Sequence, residues 1–268
     1  MPRFAANISM MFNEAAFLDR FALVRKAGFE AVEFMFPYDF PIGEVAQRVR
    51  DSGLDVVLFN APPGDWAAGD RGCTALVGRR QEFREGVKRA LEYAVALSCP
   101  RLHFMAGLAQ PGVPRDSQLA TYACNLDWAA EECGKAGIKP VIEAVNQRDI
   151  PGFFLRTTDE AAAIIRAIGP ERIGLQFDLY HCQVTEGDVA NRMEALLPLI
   201  EHMQIADNPG RHEPGTGEIN WSYLFRRIDE SAFRGWIGCE YRPAAATEAG
   251  LGWFEPFRVT TAGSAAKR

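Results

Sequence analysis

The 268-residue chain is short of several things, and each shortage removes a class of protein. None of its six cysteines forms a C-x-x-C pair, so it contains neither a zinc ribbon nor a thioredoxin-like dithiol. Cys73, Cys99, Cys124, Cys133, Cys182 and Cys239 are scattered along the chain, which suits free thiols in a reducing, cytoplasmic compartment. No apolar run reaches the roughly 18 residues needed to span a bilayer. The opening MPRFAANISMMFNE lacks the long apolar stretch expected of a secretory signal. Positive charge is scarce: 29 Lys and Arg against 35 Asp and Glu leave a net charge of −6. That excludes a broad basic face for nucleic acid or an anionic membrane, although a few local arginines could still hold a small anion. Four histidines do not suit a multi-zinc nuclease site. There is no Gly-x-Ser-x-Gly elbow and no P-loop, and NISMMFNE is not the Gly-rich first turn of a dinucleotide fold.

What is present is regular. Hydrophobic residues make up 48% and charged residues 24%, a balance that builds a core without disulfides or metals as staples. Eight strand-like runs follow one another: residues 4–9, 31–36, 55–60, 101–107, 140–145, 173–178, 202–206 and 236–241. Between them, residues 15–27, 79–97, 116–136 and 158–168 carry apolar side chains at helical spacing. Thr158 with Glu160 opens the last of these as a capped helix. Strand and helix alternating eight times predict an α/β fold, a single (β/α)8 TIM barrel over residues 1–258. The small, polar tail 259–268 is expected to fray or to serve as a contact in a homo-oligomer.

In such barrels chemistry sits at the C-terminal ends of the strands. The fifth to eighth runs end on Glu143 (VIEAVN), Asp178 (GLQFDLYH), Gln204 (HMQIADN) and Glu240 (IGCEYRP). Alternation places Gln176 with Asp178, His202 with Gln204, and Gly238 with Glu240 on one face. Leu175, Phe177, Met203, Ile205, Ile237 and Cys239 take the other. A single strand-end acid reads as a helix cap or a solvated group. Four oxygen donors on consecutive strands read differently, because carboxylates buried together repel. Either their pKa values rise or a cation joins them, and an all-oxygen set suits a hard divalent ion such as Mg2+ or Mn2+.

These residues, together with RFAANISMMF, VEFMFPYDF, GDWAAGDRG, IEAVNQRDIPGF, FDLYHCQ, QIADNPGRHEPGTGEIN and TEAGLGWFEPF, carry a resemblance over nearly the whole chain. The sequence resembles the hydroxypyruvate isomerase family, within the xylose-isomerase-like barrels that also include sugar epimerases and endonuclease IV. The resemblance implies a metal quartet of Glu143, Asp178, Gln204 and Glu240, with Glu143 and Glu240 as the acid/base pair. IEAVN departs slightly from the IEPIN of some members, without changing a polar group. Similar proteins divide between hydroxypyruvate, interconverted with tartronate semialdehyde, and four-carbon 2-oxo-tetronates. A small anionic hydroxy- or oxo-acid is therefore the expected partner. A metal-dependent sugar 3-epimerase is the weaker alternative, since those enzymes usually carry histidine where Gln204 stands. A sugar-acid binding protein would have lost the glutamate pair, and both are present.

Several residues around the quartet have two readings. Arg211, in the Gly-rich loop after the seventh strand, either pairs with the substrate carboxylate or makes a surface ion pair with Glu213. His181, three after Asp178, resembles the D-x-x-H of the wider superfamily and contacts substrate, or else it is a helix-start histidine satisfied by backbone. His202 reads as a hydrogen-bonded core histidine, and Glu33 as an inward acid in a buried salt bridge. The loop 60–72, with Trp66, is either a lid over the site or a surface or dimer contact. Residues 219–226 read as the start of a helix, with Trp221 and Leu224 packing inward.

Overall fold

Strands covered on both faces can shed every edge only by closing on themselves. In the computed structural model, which describes residues 1–258, eight parallel strands do so in sequence order. They are β1 (Arg3–Asn7), β2 (Ala31–Phe34), β3 (Asp55–Asn60), β4 (Arg101–His103), β5 (Lys139–Glu143), β6 (Gly174–Asp178), β7 (Ile200–Ile205) and β8 (Trp236–Cys239). β1 pairs with β2 on one side and with β8 on the other, so the barrel is closed. The outer layer is α1 (Phe17–Lys26), α2 (Ile42–Ser52), α3 (Arg80–Ala96), α4 (Arg115–Lys135), α5 (Thr158–Ile168), α6 (Leu179–Thr185), α7 (Val189–Leu196) and α8 (Trp221–Glu230). A 3-10 stretch, Thr247–Phe257, ends the described chain. The tail expected over 259–268 lies outside the described residues. Among the described residues, no helix is long and apolar enough to cross a membrane.

All eight expected strands form, most of them shorter at the C-terminal end than the apolar runs suggest. The run 101–107, for example, leaves the ladder after His103 to build the rim. Three helices lie outside the stretches expected to be helical. In α2 the apolar stripe of Ile42, Val45, Ala46 and Val49 does have helical spacing and packs on the core, but sequence reasoning missed it. α6 and α7 are one short segment broken by Gly187 and Asp188, both at positive φ. The cap of α5 is Thr157, not Thr158: Thr157 is extended and its hydroxyl accepts from the Glu160 backbone N–H, three residues on. Thr158 instead donates its backbone N–H and its hydroxyl to Glu186.

Leu175, Phe177, Met203, Ile205, Ile237 and Cys239 are buried, as the alternation predicts. The 3-10 stretch seals the β1–β8 seam from outside. Phe4 on β1 meets Phe225, Trp253 and Phe257 edge-on at 5.1, 5.1 and 4.9 Å, and Phe254 stacks on Phe29 at 4.1 Å. Truncating Phe4 leaves a cavity inside this cluster. Phe4→Ala is expected to cost about 3–5 kcal/mol, the usual range for a buried Phe. The measurement is the urea midpoint at unchanged slope; a loss under about 1 kcal/mol would show that the cluster does not hold the seam.

Candidate active site

The ladder register lines up the strand-end residues. Glu143, the last residue of β5, lies opposite Gln176; Asp178, the last of β6, opposite Gln204; and Gln204 opposite Gly238, two residues before Glu240. The fold therefore delivers all four to the same end of the barrel, but their side chains are used differently. Glu143 and Asp178 are 6% and 3% exposed. Each keeps one buried oxygen, Glu143 Oε1 and Asp178 Oδ2, without a hydrogen-bond partner. The other Asp178 oxygen caps α6, accepting from the backbone N–H groups of Tyr180 (2.7 Å) and His181 (3.1 Å). The capping reading of a strand-end acid thus holds for half of one carboxylate. Gln204 lies one layer deeper: its amide donates to Glu33 (2.8 Å) and accepts from Gln176 (2.6 Å).

Arg211 sits at the centre. Its guanidinium donates to Glu240 Oε1 at 2.7 Å and to Asp149 Oδ2 at 3.0 Å, and lies 3.8 Å from Asp178 Oδ2. It is not a surface partner of Glu213, whose carboxylate accepts from the Ala244 backbone N–H. The loop after β7 aims it. Asp207 accepts from the N–H groups of Asn208, Gly215, Gly217 and Ile219, which gathers the loop around one carboxylate. The loop then enters α8 through Asn220, whose side chain accepts from the Tyr223 N–H, with Trp221 and Leu224 buried. At Gly217 a Cβ would collide with the Asn208 carbonyl, so glycine is required there.

His181 stands beside the pair. The Asn146 amide oxygen accepts from the Asp149 N–H, so its NH2 faces His181 Nδ1 at 2.6 Å. That leaves the neutral ring's proton on Nε2, 3.6 Å from Asp178 Oδ2 and 3.9 Å from Glu143 Oε1. Burial holds His181 well below the usual histidine range, with Arg211 adding to the effect.

The four acids and bases of the site push on one another. Burial raises Glu143 well above the usual carboxylate range, and the charges of Glu240 and Asp178 add to it, while Arg211 opposes. Burial raises Glu240 too, against the pull of Arg211. Asp178 is raised by burial and held back by Arg211 and by the two N–H groups it caps. Burial alone would depress Arg211, but Glu240, Asp178 and Asp149 outweigh it and raise the guanidinium.

Sequence reasoning missed several neighbours. His103, at the end of β4, stands where no acid was found, its Nε2 3.8 Å from Glu143 Oε2 and without a hydrogen-bond partner. Its Nδ1 meets the Asn60 side-chain oxygen at 3.2 Å. A search for bases as well as acids at strand ends would have found it. Asn146 and Asp149 lie within the IEAVNQRDIPGF stretch, but their roles depend on contacts with His181 and Arg211 across the site. Glu33 and His202 pair at 2.6 Å inside the barrel, with Asn7 and Gln204 also donating to Glu33. A Cβ at Gly238 would collide with that carboxylate.

Met10, Met35, Asn60, Trp66 and Arg71 complete a cavity of about 220 Å3 above Glu143, His181 and Glu240. That is below the roughly 300–1,000 Å3 typical of pockets for drug-sized ligands and fits a ligand of a few carbons. The donor chemistry also fits a hard divalent cation. Oxygens of Glu143 and Asp178 lie within 4.8 Å of each other and of His181 nitrogen, and two of those oxygens are orphaned. Glu240 is linked to this group through Arg211, whereas the Gln204 amide oxygen accepts from Gln176 and would have to leave that bond to join an oxygen set. His181, protonated on the nitrogen that faces the acids, is placed to donate.

Burial pushes His103 down to about 3, with His202 adding to the effect. Between that value and the ordinary 6.5 the unfolded chain binds the proton and the folded one does not. Stability from this group is therefore full above about pH 6.5 and falls as the pH drops towards 3, by up to about 1.4 kcal/mol per pH unit. In chelator-treated protein, His103→Asn is expected to show a smaller loss of unfolding free energy between pH 7 and pH 5 than the wild type. Equal losses would mean that His103 is not what acid attacks.

A family model described as xylose isomerase-like TIM barrel matches residues 21–257. A protein of Cupriavidus necator named 2-oxo-tetronate isomerase is 51% identical, over 96% of this chain and 99% of its own. One of Escherichia coli named hydroxypyruvate isomerase is 46% identical, over 96% of this chain and 100% of its own. Among solved structures, one described as AP endonuclease, family 2, from Brucella melitensis superposes with a TM-score of 0.94 at 46% identity, covering 97% of this chain and 100% of that one. A 3-keto-D-glucoside 4-epimerase from E. coli shares the fold, with a TM-score of 0.76 at 19% identity. The chain belongs to the xylose isomerase-like TIM barrel family and, within it, to the isomerase branch that holds its hydroxypyruvate and 2-oxo-tetronate relatives.

Proposed function

We propose that this isomerase interconverts hydroxypyruvate and tartronate semialdehyde by proton transfer through an enediolate, with Glu143 and Glu240 as the acid/base pair. The observation that carries the proposal is that a buried glutamate, Glu143, and a largely covered one, Glu240, both raised by burial, line one cavity sized for a few carbons. A carboxylate raised towards neutral pH can both take and return a proton, as the reaction requires. One C–H bond breaks at C3, one forms at C2, and a hydroxyl proton moves from O3 to O2; no outside oxidant or reductant is needed.

The residues divide the work. One glutamate removes the proton and the other, or the same one, returns it. His181 points an Nε2–H towards the reacting region, where a developing oxyanion needs a donor. Arg211 holds Glu240 in place through a charge-assisted bond and lies beside the substrate oxygens. Glu143, Asp178, Gln204 and Glu240 would hold a divalent cation, Mg2+ or Mn2+. Bound there, it would polarise the carbonyl and offset the gathered negative charge. The six cysteines are free and five of them are buried, which supports a reducing, cytoplasmic location.

A four-carbon 2-oxo-tetronate is the second reading, favoured by the Cupriavidus necator relative at 51% identity. The same proton transfer serves both acids. A nuclease reading, suggested by the description of the Brucella structure, has no support in the net charge of −6.

In heavy water, hydroxypyruvate is expected to yield tartronate semialdehyde with deuterium at carbon. Turnover of a 2-oxo-tetronate but not of hydroxypyruvate would move the assignment to the second reading, and no conversion of either would overturn both. Glu143→Gln and Glu240→Gln are each expected to lose at least about 100-fold in kcat in folded protein. Near-wild-type turnover in both would remove the glutamate pair from the mechanism.

Cation binding has its own readout. Millimolar Mg2+ or Mn2+ at about 100 times its Kd would add about 2.7 kcal/mol. In a chain of this size that raises Tm by roughly 5–10 °C, reversed by chelator and diminished in Asp178→Asn. The carboxylates are raised in the folded state, so their mutual repulsion grows as pH rises, and the Tm gain should be larger at pH 8 than at pH 6. No shift with either ion would mean that the site does not use one.

A further inference from the structure

The substrate proposed above carries a carboxylate that the reacting carbons do not use, and it enters a cavity already lined by Glu143, Glu240 and Asp149. A cation must meet it. Arg211 is the obvious choice in the sequence, but its two terminal nitrogens are already bonded to Asp149 and Glu240. We propose that Arg71, laid on the Trp66 ring at the rim of the cavity, pairs with the substrate carboxylate and so selects acids over neutral sugars. The proposal rests on the acid-isomerase reading.

Four observations converge on Arg71. It lines the same cavity as Glu143, His181 and Glu240. Its guanidinium is free on one edge: Nη1 donates to the Trp66 and Asp70 carbonyls, and among the described residues Nε and Nη2 have no acceptor and no carboxylate lies within 4 Å. The adjacent acid that could have neutralised it, Asp70, is taken. Arg79 donates to both Asp70 oxygens, at 2.8 and 2.7 Å, and the Asp65 N–H donates to one of them as well. The plane is also set in advance, with the guanidinium carbon 4.0 Å above the Trp66 ring, which itself rests 5.2 Å from Phe36.

The backbone under Arg71 is anchored. The Gly72 N–H donates to the Pro63 carbonyl, and a Cβ at Gly72 would collide with the Met105 carbonyl, so the chain can approach β4 only with glycine there. The Thr74 hydroxyl donates to that same Met105 carbonyl at 2.8 Å. A planar cation on a ring, with an open edge towards the cavity and a tethered base, is preorganised for bidentate carboxylate capture. Trp66 is 39% exposed, so ligand binding would cover it and shut water from the site.

The test compares Arg71→Met and Arg71→Lys with the wild type on hydroxypyruvate and on a 2-oxo-tetronate, with melting curves to confirm folding. Loss of a charged hydrogen-bonding partner predicts a KM raised about 10- to 100-fold in Arg71→Met. Since the carboxylate is bound alike in ground and transition states, kcat is expected to stay within about threefold of the wild type. Arg71→Lys, which keeps the charge but not the fork, should fall between the two. If the wild type turns over an acid and Arg71→Met keeps KM within about twofold, the Arg71 assignment is overturned and Arg242, an exposed arginine on the same cavity, takes its place. A fall in kcat with unchanged KM also overturns it. A wild type inert towards both acids would overturn the acid-isomerase reading and this proposal with it.

Discussion

The site depends on one electrostatic constraint: several carboxylates share a small space cut off from water. Glu143 and Asp178 are buried at the ends of β5 and β6, Glu240 lies largely covered just after β8, and each is pushed towards its neutral form. Left alone, such a cluster would take up protons or hold its walls apart. Arg211 offsets part of the repulsion, bonding Glu240 and Asp149 directly and lying close to Asp178. The loop between β7 and α8 is built to put it there, wrapped around the Asp207 carboxylate. The acids keep what catalysis needs, unpartnered oxygens and proton affinities nearer neutrality than a surface glutamate has.

Beneath this cluster the barrel has a polar floor. Glu33 reaches inward from β2 and is satisfied by Asn7, His202 and Gln204, so no strand interior there carries an unpaired acid. Gly238 leaves room for it, and a side chain there would collide with the carboxylate. The floor fixes the Gln204 amide between Glu33 and Gln176, which orients the layer above. Gln176 Oε1 and His202 Nδ1 are left without partners in this network, a cost that the bonds to Glu33 offset. The apolar layer outside the strands supplies the burial, and the aromatic cluster around Phe4 closes the seam where the first strand meets the last.

Shape and charge point the same way on function. The cavity is small, and acids, arginines and the Trp66 indole line it together. Small acids fit both its volume and its rim. The distant epimerase neighbours share only the barrel, which fixes where chemistry can occur and leaves open which chemistry it is.

Much of this was legible in the chain. Eight alternating runs close into a barrel because each apolar run must be covered on both faces, and strand parity puts Glu143, Asp178, Gln204 and Glu240 at one end. Glu33 and His202 could each be read as interior residues, an inward acid and a hydrogen-bonded core histidine, but only the structure makes them partners of each other. What the sequence determined, then, is what local periodicity and side-chain chemistry determine: the fold, the end of the barrel where polar side chains gather, and which acids gather there. Tertiary structure alone decided which groups those acids meet. Arg211 turns to Glu240 rather than Glu213, His103 arrives from β4, Asn146 sets the His181 proton, and Arg79 takes Asp70 so that Arg71 is left free. Those pairings join residues far apart in the chain, and a hydrogen bond or ion pair depends on distance and direction in space, which spacing along a sequence does not encode.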